Sequence, residues 1–113
     1  MTVIPITRDG ILVLTLTGRF DTAGAPAVQQ ALDAHFHERP KAVVLDLSGV
    51  EFISSAGIRV LLITAKEAAA RKGVLALAGL RPYCRDLLAS LPLAGGWKVF
   101  ETLDQAESVC ARE

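Results

Sequence analysis

Aromatic side chains are scarce in this chain: one Trp, one Tyr and four Phe make up 5% of its 113 residues, against 51% hydrophobic residues in all. A core must therefore be built from aliphatic side chains, and one such core accounts for the length. Neither sign of charge is in excess, because twelve Lys and Arg balance twelve Asp and Glu. The charges are scattered rather than gathered into a basic run, which disfavours nucleic acid and anionic membrane as partners. Only two cysteines are present, Cys84 and Cys110. They lie in different predicted helices without C-x-x-C spacing, so buried reduced thiols are expected rather than a disulfide or a metal pair, and a reducing cytoplasm suits them. Apolar runs fall well short of a bilayer span, and no basic stretch leading into an apolar one marks an export signal. The histidines, His35 and His37, stand two apart, which on a helix turns them to different faces and makes convergence on one metal poor. Gly95-Gly96 has neither the flanking glycine spacing nor the lysine of a phosphate-binding loop.

What the chain does have is a regular alternation of elements. Val3, Ile4 and Ile6 form a β-rich run in which Pro5, lacking a donor, points to an edge strand. Arg8-Asp9-Gly10 predicts a hairpin into the alternating run Ile11 to Thr17. Gly18-Arg19-Phe20-Asp21 closes that strand, and Asp21 or Thr22 caps the first helix. Ala27, Val28, Ala31, Leu32, His35 and Phe36 recur at helical spacing over Ala25 to Phe36, with Pro26 in the first turn and Pro40 ending any continuation. Lys41 to Leu47 is a valine-rich run typical of a strand covered on both faces. The Ser48 to Ser55 connection after it is expected to be the functional loop, since ligands and partners favour the carboxyl ends of strands in α/β sheets. Asp46 at that end reads most simply as a satisfied loop carboxylate.

A second helix is predicted from about Ala56 to Lys72, with Ile58, Leu61, Leu62, Ala65, Ala68 and Ala69 as its core stripe and Gly73 as its stop. Arg59, Lys66 and Glu67 fall off that stripe, on a solvated face that lies beside the serines and is equally able to meet a partner. Val74 to Ala78 is a further strand. Pro82 opens a helix through about Leu91 with Leu87 and Leu88 inward, and Leu93 to Gly96 is a loop. Trp97 to Phe100 is the last strand, and Thr102 or Asp104 starts a C-terminal helix ending near Ala111. The order β-β-α-β-α-β-α-β-α implies an α/β fold, a mixed sheet of about five strands packed against about four helices.

Ser54 and Ser55 stand where the second helix begins. The first N–H groups of a helix lack internal partners and carry a partial positive charge. A serine there serves as an N-cap, which is the commoner use, or as an acceptor of phosphate, whose oxygens the same N–H groups favour. A serine hydrolase is disfavoured, because Ile53 occupies the place of the first glycine of a Gly-x-Ser-x-Gly elbow and neither histidine is near in sequence.

Over nearly its whole length the chain resembles the sulfate transporter and anti-sigma factor antagonist (STAS) domain, in its stand-alone bacterial anti-sigma factor antagonist form. Gly18-Arg19-Phe20-Asp21 contributes to the resemblance. Its more specific part is Val44-Leu45-Asp46-Leu47-Ser48-Gly49-Val50 followed by Phe52-Ile53-Ser54-Ser55-Ala56-Gly57-Ile58. The resemblance implies one STAS domain over residues 1–113, a binding module rather than an enzyme, with no cofactor and no metal. It implies partner switching. The unmodified antagonist binds an anti-sigma factor serine kinase of the histidine-kinase-like ATPase type; phosphorylation at the start of the central helix breaks the complex, and a metal-dependent serine phosphatase restores it. The usual family pattern places the phosphorylated residue directly before the glycine. Here that place is Ala56, and the usual acidic position is Ser54. Ser55 is therefore the first choice for a shifted acceptor, with Ser54 behind it. Asp21 matches the family's acidic residue near the switch, and Asp21, Ser54, Ser55, Ala56, Gly57 and Arg59 form the expected partner surface. Ala56 also favours a different reading, a subunit that is never phosphorylated and docks to a transporter ATPase or a sensory complex. A small ligand at the strand ends is a third possibility on which the residues are silent.

Overall fold

The structure, a computed structural model, describes residues 1–90 and 96–112. The expected end of the third helix at Leu91 and the Leu93-Ala94-Gly95 part of the expected loop lie outside them.

Strands β1 (Thr2–Arg8) and β2 (Ile11–Phe20) form the predicted antiparallel hairpin. Asp9 and Gly10, with φ of 54° and 76°, supply the left-handed conformations that a two-residue turn of this hand requires. Strands β3 (Ala42–Ile53), β4 (Val74–Ala78) and β5 (Lys98–Phe100) add in parallel, giving the order β1-β2-β3-β4-β5 with β1, and its Pro5, at one edge. Helices α1 (Ala25–His35), α2 (Ser55–Ala70) and α3 (Pro82–Ala89) contribute Val28, Leu32, Val60, Leu61, Cys84 and Leu88 to one core. That core is completed by Leu12, Leu14 and Leu16 of β2, Val43, Leu45 and Leu47 of β3, and Leu75 and Leu77 of β4. The intervening strand residues Ile11, Val13, Ala42, Val44, Ala76 and Ala78 face the other way, against Ala106 and Cys110 of α4 (Leu103–Arg112). Burial on both faces is why β3 and β4 read as continuous apolar runs. Both cysteines are buried and free, and burial pushes the Cys84 thiol above its ordinary pKa, with Arg81 pulling the other way.

Three local expectations change. The Ser48 to Ser55 connection is not a loop: β3 continues to Ile53, pairing Gly49, Val50, Phe52 and Ile53 with Thr17, Gly18, Arg19 and Phe20. Extra residues on β3 are accommodated at bulges, one where Leu47 and Ser48 oppose Leu16 and one at Glu51. Asp46 organises the first, its Oδ1 accepting the Ser48 N–H at 3.1 Å and the Ser48 hydroxyl at 2.8 Å. A Cβ on Gly49 would lie 2.9 Å from Leu16 O, so the neighbouring strands approach this closely only around glycine. The α2 stripe is rotated from the expected one: Gly57, Val60, Leu61, Thr64 and Ala68 are buried, whereas Ala69 is exposed. Thr64 enters the core because its hydroxyl is satisfied by Val60 O at 2.7 Å. In α3, Cys84 and Leu88 are buried and Leu87 only half so, since α3 starts at Pro82 and turns Cys84 and Leu88, four apart, to the same side.

The end of α2 shows a further departure. Gly73 N–H reaches Ala68 O at 2.7 Å and Lys72 N–H reaches Ala69 O at 3.0 Å, the paired bonds of a Schellman stop. The left-handed residue of that stop is Lys72, with φ of 60°, one position before the glycine. A side chain there strains the backbone, so Lys72→Gly is expected to raise the unfolding free energy by about 1 kcal/mol. Urea unfolding of the two proteins checks it; equal or lower stability of the variant contradicts the assignment.

Candidate functional site

The site is built where the end of β2 meets the start of α2. Phe20 O accepts the Ser54 N–H at 2.9 Å, so the strand end and the helix start are tied directly. Gly57 lets them meet. A Cβ there would lie 2.6 Å from Phe20 O and 3.0 Å from both Phe20 Cγ and Ile53 Cγ2. The need for glycine at this position has that contact as its cause.

The two serines do different things. Ser54 is the N-cap: its backbone is extended and its Oγ accepts the Ala56 N–H at 3.2 Å. It is half-buried, and its hydroxyl also leans on Phe20 O at 3.5 Å. Ser55 is the first residue of α2 and is exposed. Its hydroxyl has no hydrogen-bond partner among the described residues. Ala56 is half-buried, and Arg59, one turn beyond Ser55 on the same helix, is exposed.

Asp21 follows Phe20 directly and is spent on the turn into α1. Its Oδ1 accepts the N–H of Gly24 at 2.9 Å and of Ala23 at 3.1 Å, and its Oδ2 accepts from Arg19 Nε at 3.3 Å. The Gly24 N–H, first among these, holds the carboxyl below its ordinary pKa, against an opposing push from burial. Asp21 thus caps ahead of the helix rather than at its N-cap, a place that Gly24 occupies without a side-chain bond. Arg19 also stacks over Phe52, 4.4 Å from the ring centroid, joining the ends of β2 and β3.

An open groove of about 580 Å³ runs between the N-terminal halves of α1 and α2. Thr22, Ala25, Pro26 and Gln29 form one wall, and Ser55, Ala56, Arg59, Val60 and Ile63 form the other. A second groove of about 390 Å³ continues from Gln29 and Ile63 toward Asp33, His37, Glu67 and Arg71. Ser55, Ala56 and Arg59 are therefore brought together on one groove, whereas Ser54, Gly57 and Asp21 lie behind it as its support. Ile63, 40% exposed, is a groove residue that the sequence-based expectation omits. A signal for it exists, because 55, 59 and 63 are spaced by four and share one helical face.

Chemically, the arrangement offers an unengaged hydroxyl at the positive end of a helix, with no histidine beside it among the described residues to activate it. His35 pairs with Glu38 at 3.0 Å, at the far end of α1. Among the described residues no group of three or more His, Cys, Asp and Glu side chains could hold a metal ion, and no helix is long and apolar enough to cross a membrane.

Comparisons with known proteins bear on the family and the fold. The family model described as the STAS domain matches residues 3–106. The putative anti-sigma factor antagonist BtrV of Bordetella bronchiseptica is 33% identical over 103 residues, covering 91% of this chain and 86% of that protein. The anti-sigma-F factor antagonist RsfB of Mycobacterium tuberculosis is 34% identical over 67 residues, covering 59% of this chain and 55% of that protein. Among solved structures, an anti-sigma factor antagonist from Mycobacterium paratuberculosis is 30% identical with a TM-score of 0.87, covering 99% of this chain and 94% of that one. A family match across residues 3–106, with a relative 33% identical over 91% of this chain, makes the chain a member of the STAS domain family.

Proposed function

We propose that this protein is an anti-sigma factor antagonist that works in the cytoplasm by partner switching, with Ser55 as the switch. In its unmodified form it binds an anti-sigma factor serine kinase of the histidine-kinase-like ATPase type through the surface that Ser55, Ala56 and Arg59 present, held in place by Asp21, Ser54 and Gly57. The kinase moves the γ-phosphoryl group of ATP onto Ser55 Oγ, ADP leaves, and the hydroxyl proton is lost. A metal-dependent serine phosphatase reverses the modification by hydrolysis. The names of the relatives support the antagonist role. The observation that carries the choice of residue is the contrast between the two hydroxyls: Ser54 Oγ is half-buried and occupied as a cap, whereas Ser55 Oγ is exposed and unoccupied.

The physics of the position favours a switch that leaves the fold intact. A phosphate adds about −1.5 to −2 charges, and at the first residue of a helix that charge is welcomed by the free N–H groups and the macrodipole. The penalty falls on the complex instead, where a new dianion must be desolvated or meets like charge. Ala56, standing directly before Gly57, supports a second reading in which the chain is an unmodified STAS subunit docking to a transporter ATPase or a sensory complex.

Incubation with MgATP and the purified anti-sigma kinase, followed by intact mass and peptide mapping, separates the two. One phosphoryl group is expected on the wild type and on Ser54→Ala, and none on Ser55→Ala. Phosphate retained in Ser55→Ala and lost in Ser54→Ala contradicts the choice of Ser55, and none on any protein with a kinase active elsewhere favours the subunit reading. Stability should divide the serines the other way. Ser54→Ala is expected to lose about 1 kcal/mol of unfolding free energy with the cap, while Ser55→Ala stays within about 0.5 kcal/mol of wild type; a reversed order in urea unfolding contradicts the assignment of the cap.

A further inference from the structure

Arg59 is placed where the fold has little use for it. Its side chain makes no hydrogen bond and no ion pair among the described residues, as is also true of Arg39, Arg85 and Arg112, whereas Arg8, Arg19, Arg71 and Arg81 each meet a carboxylate of this chain; of the unpaired four only Arg59 lines the α1–α2 groove. It stands in the second turn from the positive end of α2, and the first turn of that helix has no acidic residue to offset it. It is also the one charged side chain among the described residues lining that groove, whose walls carry the apolar side chains of Ala25, Val60 and Ile63. The carboxylates farther along the same two helices are already engaged, Asp33 by Gln29 at 3.0 Å and Glu67 by Arg71 at 3.4 Å. A cation on an apolar groove with no intrachain acid is a half-made interaction, and a partner's carboxylate completes it.

Ser55 and Arg59 are four apart on α2, so their side chains are neighbours on one face. A phosphate on Ser55 Oγ and a carboxylate from a partner therefore compete for the same guanidinium. We infer that the α1–α2 groove takes an acidic segment of the protein partner, its carboxylate on Arg59 and an adjacent apolar side chain over Ile63, and that phosphate on Ser55 releases the partner by taking Arg59 for itself. This rests on the partner-switching reading and adds to it the chemistry of the occupant and the residue that reads the switch. Repulsion alone would leave Arg59 a bystander; competition makes it necessary in both states.

The test uses the full chain and the purified anti-sigma factor, by isothermal titration calorimetry at two salt concentrations, with circular dichroism confirming that each variant is folded. Arg59→Gln is expected to weaken binding about tenfold and to flatten its salt dependence, Ile63→Gln to weaken it several-fold, and Arg59→Lys to restore most of the loss. In a second arm, phosphoserine is incorporated at position 55 and its titration followed by ³¹P NMR. Its second pKa, ordinarily about 6, should lie lower with Arg59 than in Arg59→Gln. Wild-type affinity and salt dependence in Arg59→Gln, or a phosphate titration indifferent to that change, overturns the inference while leaving the antagonist role intact. Failure of the wild type to bind any anti-sigma factor overturns the antagonist role, and this inference with it.

Discussion

The whole site depends on the contact between the last residue of β2, Phe20, and the first turn of α2. Phe20 is fully buried, its carbonyl holds the Ser54 N–H, and the absence of a side chain at Gly57 lets its ring and carbonyl sit against the helix. That one junction sets its neighbours. Ser54 is fixed with its oxygen over the Ala56 N–H, Ser55 is turned out to solvent, and Asp21 is carried to the position where its carboxylate gathers the N–H groups ahead of α1. Both helix starts are thus set by the same strand end, and the groove between them has the shape that this spacing allows.

Such an arrangement separates the group proposed for modification from the groups that hold the fold. The cap that stabilises α2 is Ser54, partly buried; the hydroxyl beside it bears no structural duty. A charge placed on the second costs the helix nothing, since the helix dipole favours it. The surface is what changes. A neutral hydroxyl beside an unpaired guanidinium becomes a dianion beside it, and the sign of the groove reverses without a rearrangement of the sheet or its cores.

Much of the fold is legible in the residues, for physical reasons that can be named. The order of elements along the chain, the Asp9-Gly10 hairpin, the edge position of Pro5 and the start of α2 all come from local chemistry: left-handed turn residues, a missing donor, side-chain caps. Less legible is whatever depends on distant partners. The Ser48 to Ser55 connection reads as a loop by itself, and its part up to Ile53 becomes strand because β2 continues to Phe20 alongside it, with bulges taking up the extra residues. Thr64 looks too polar for the core, yet its hydroxyl finds Val60 O within its own helix. Periodicity defines the helical faces of α2 but not which of them the sheet covers, so it neither exposes Ile63 nor keeps Ala69 out of the core stripe. The serines stand out in the sequence; their division of labour does not, because it turns on a single hydrogen bond from Ala56 N–H.

The central claim is that a charge at Ser55 switches binding while the fold stays as it is. The measurement that tests it most directly compares chain carrying phosphoserine at 55 with unmodified chain, reading affinity for the anti-sigma kinase and backbone amide shifts of the free protein together. The account predicts binding weaker by about a hundredfold or more, a loss of the size seen when a central contact fails, with shift changes confined to the ends of β2 and β3 and the first halves of α1 and α2. Equal affinity, or shift changes spread through the sheet, would contradict it.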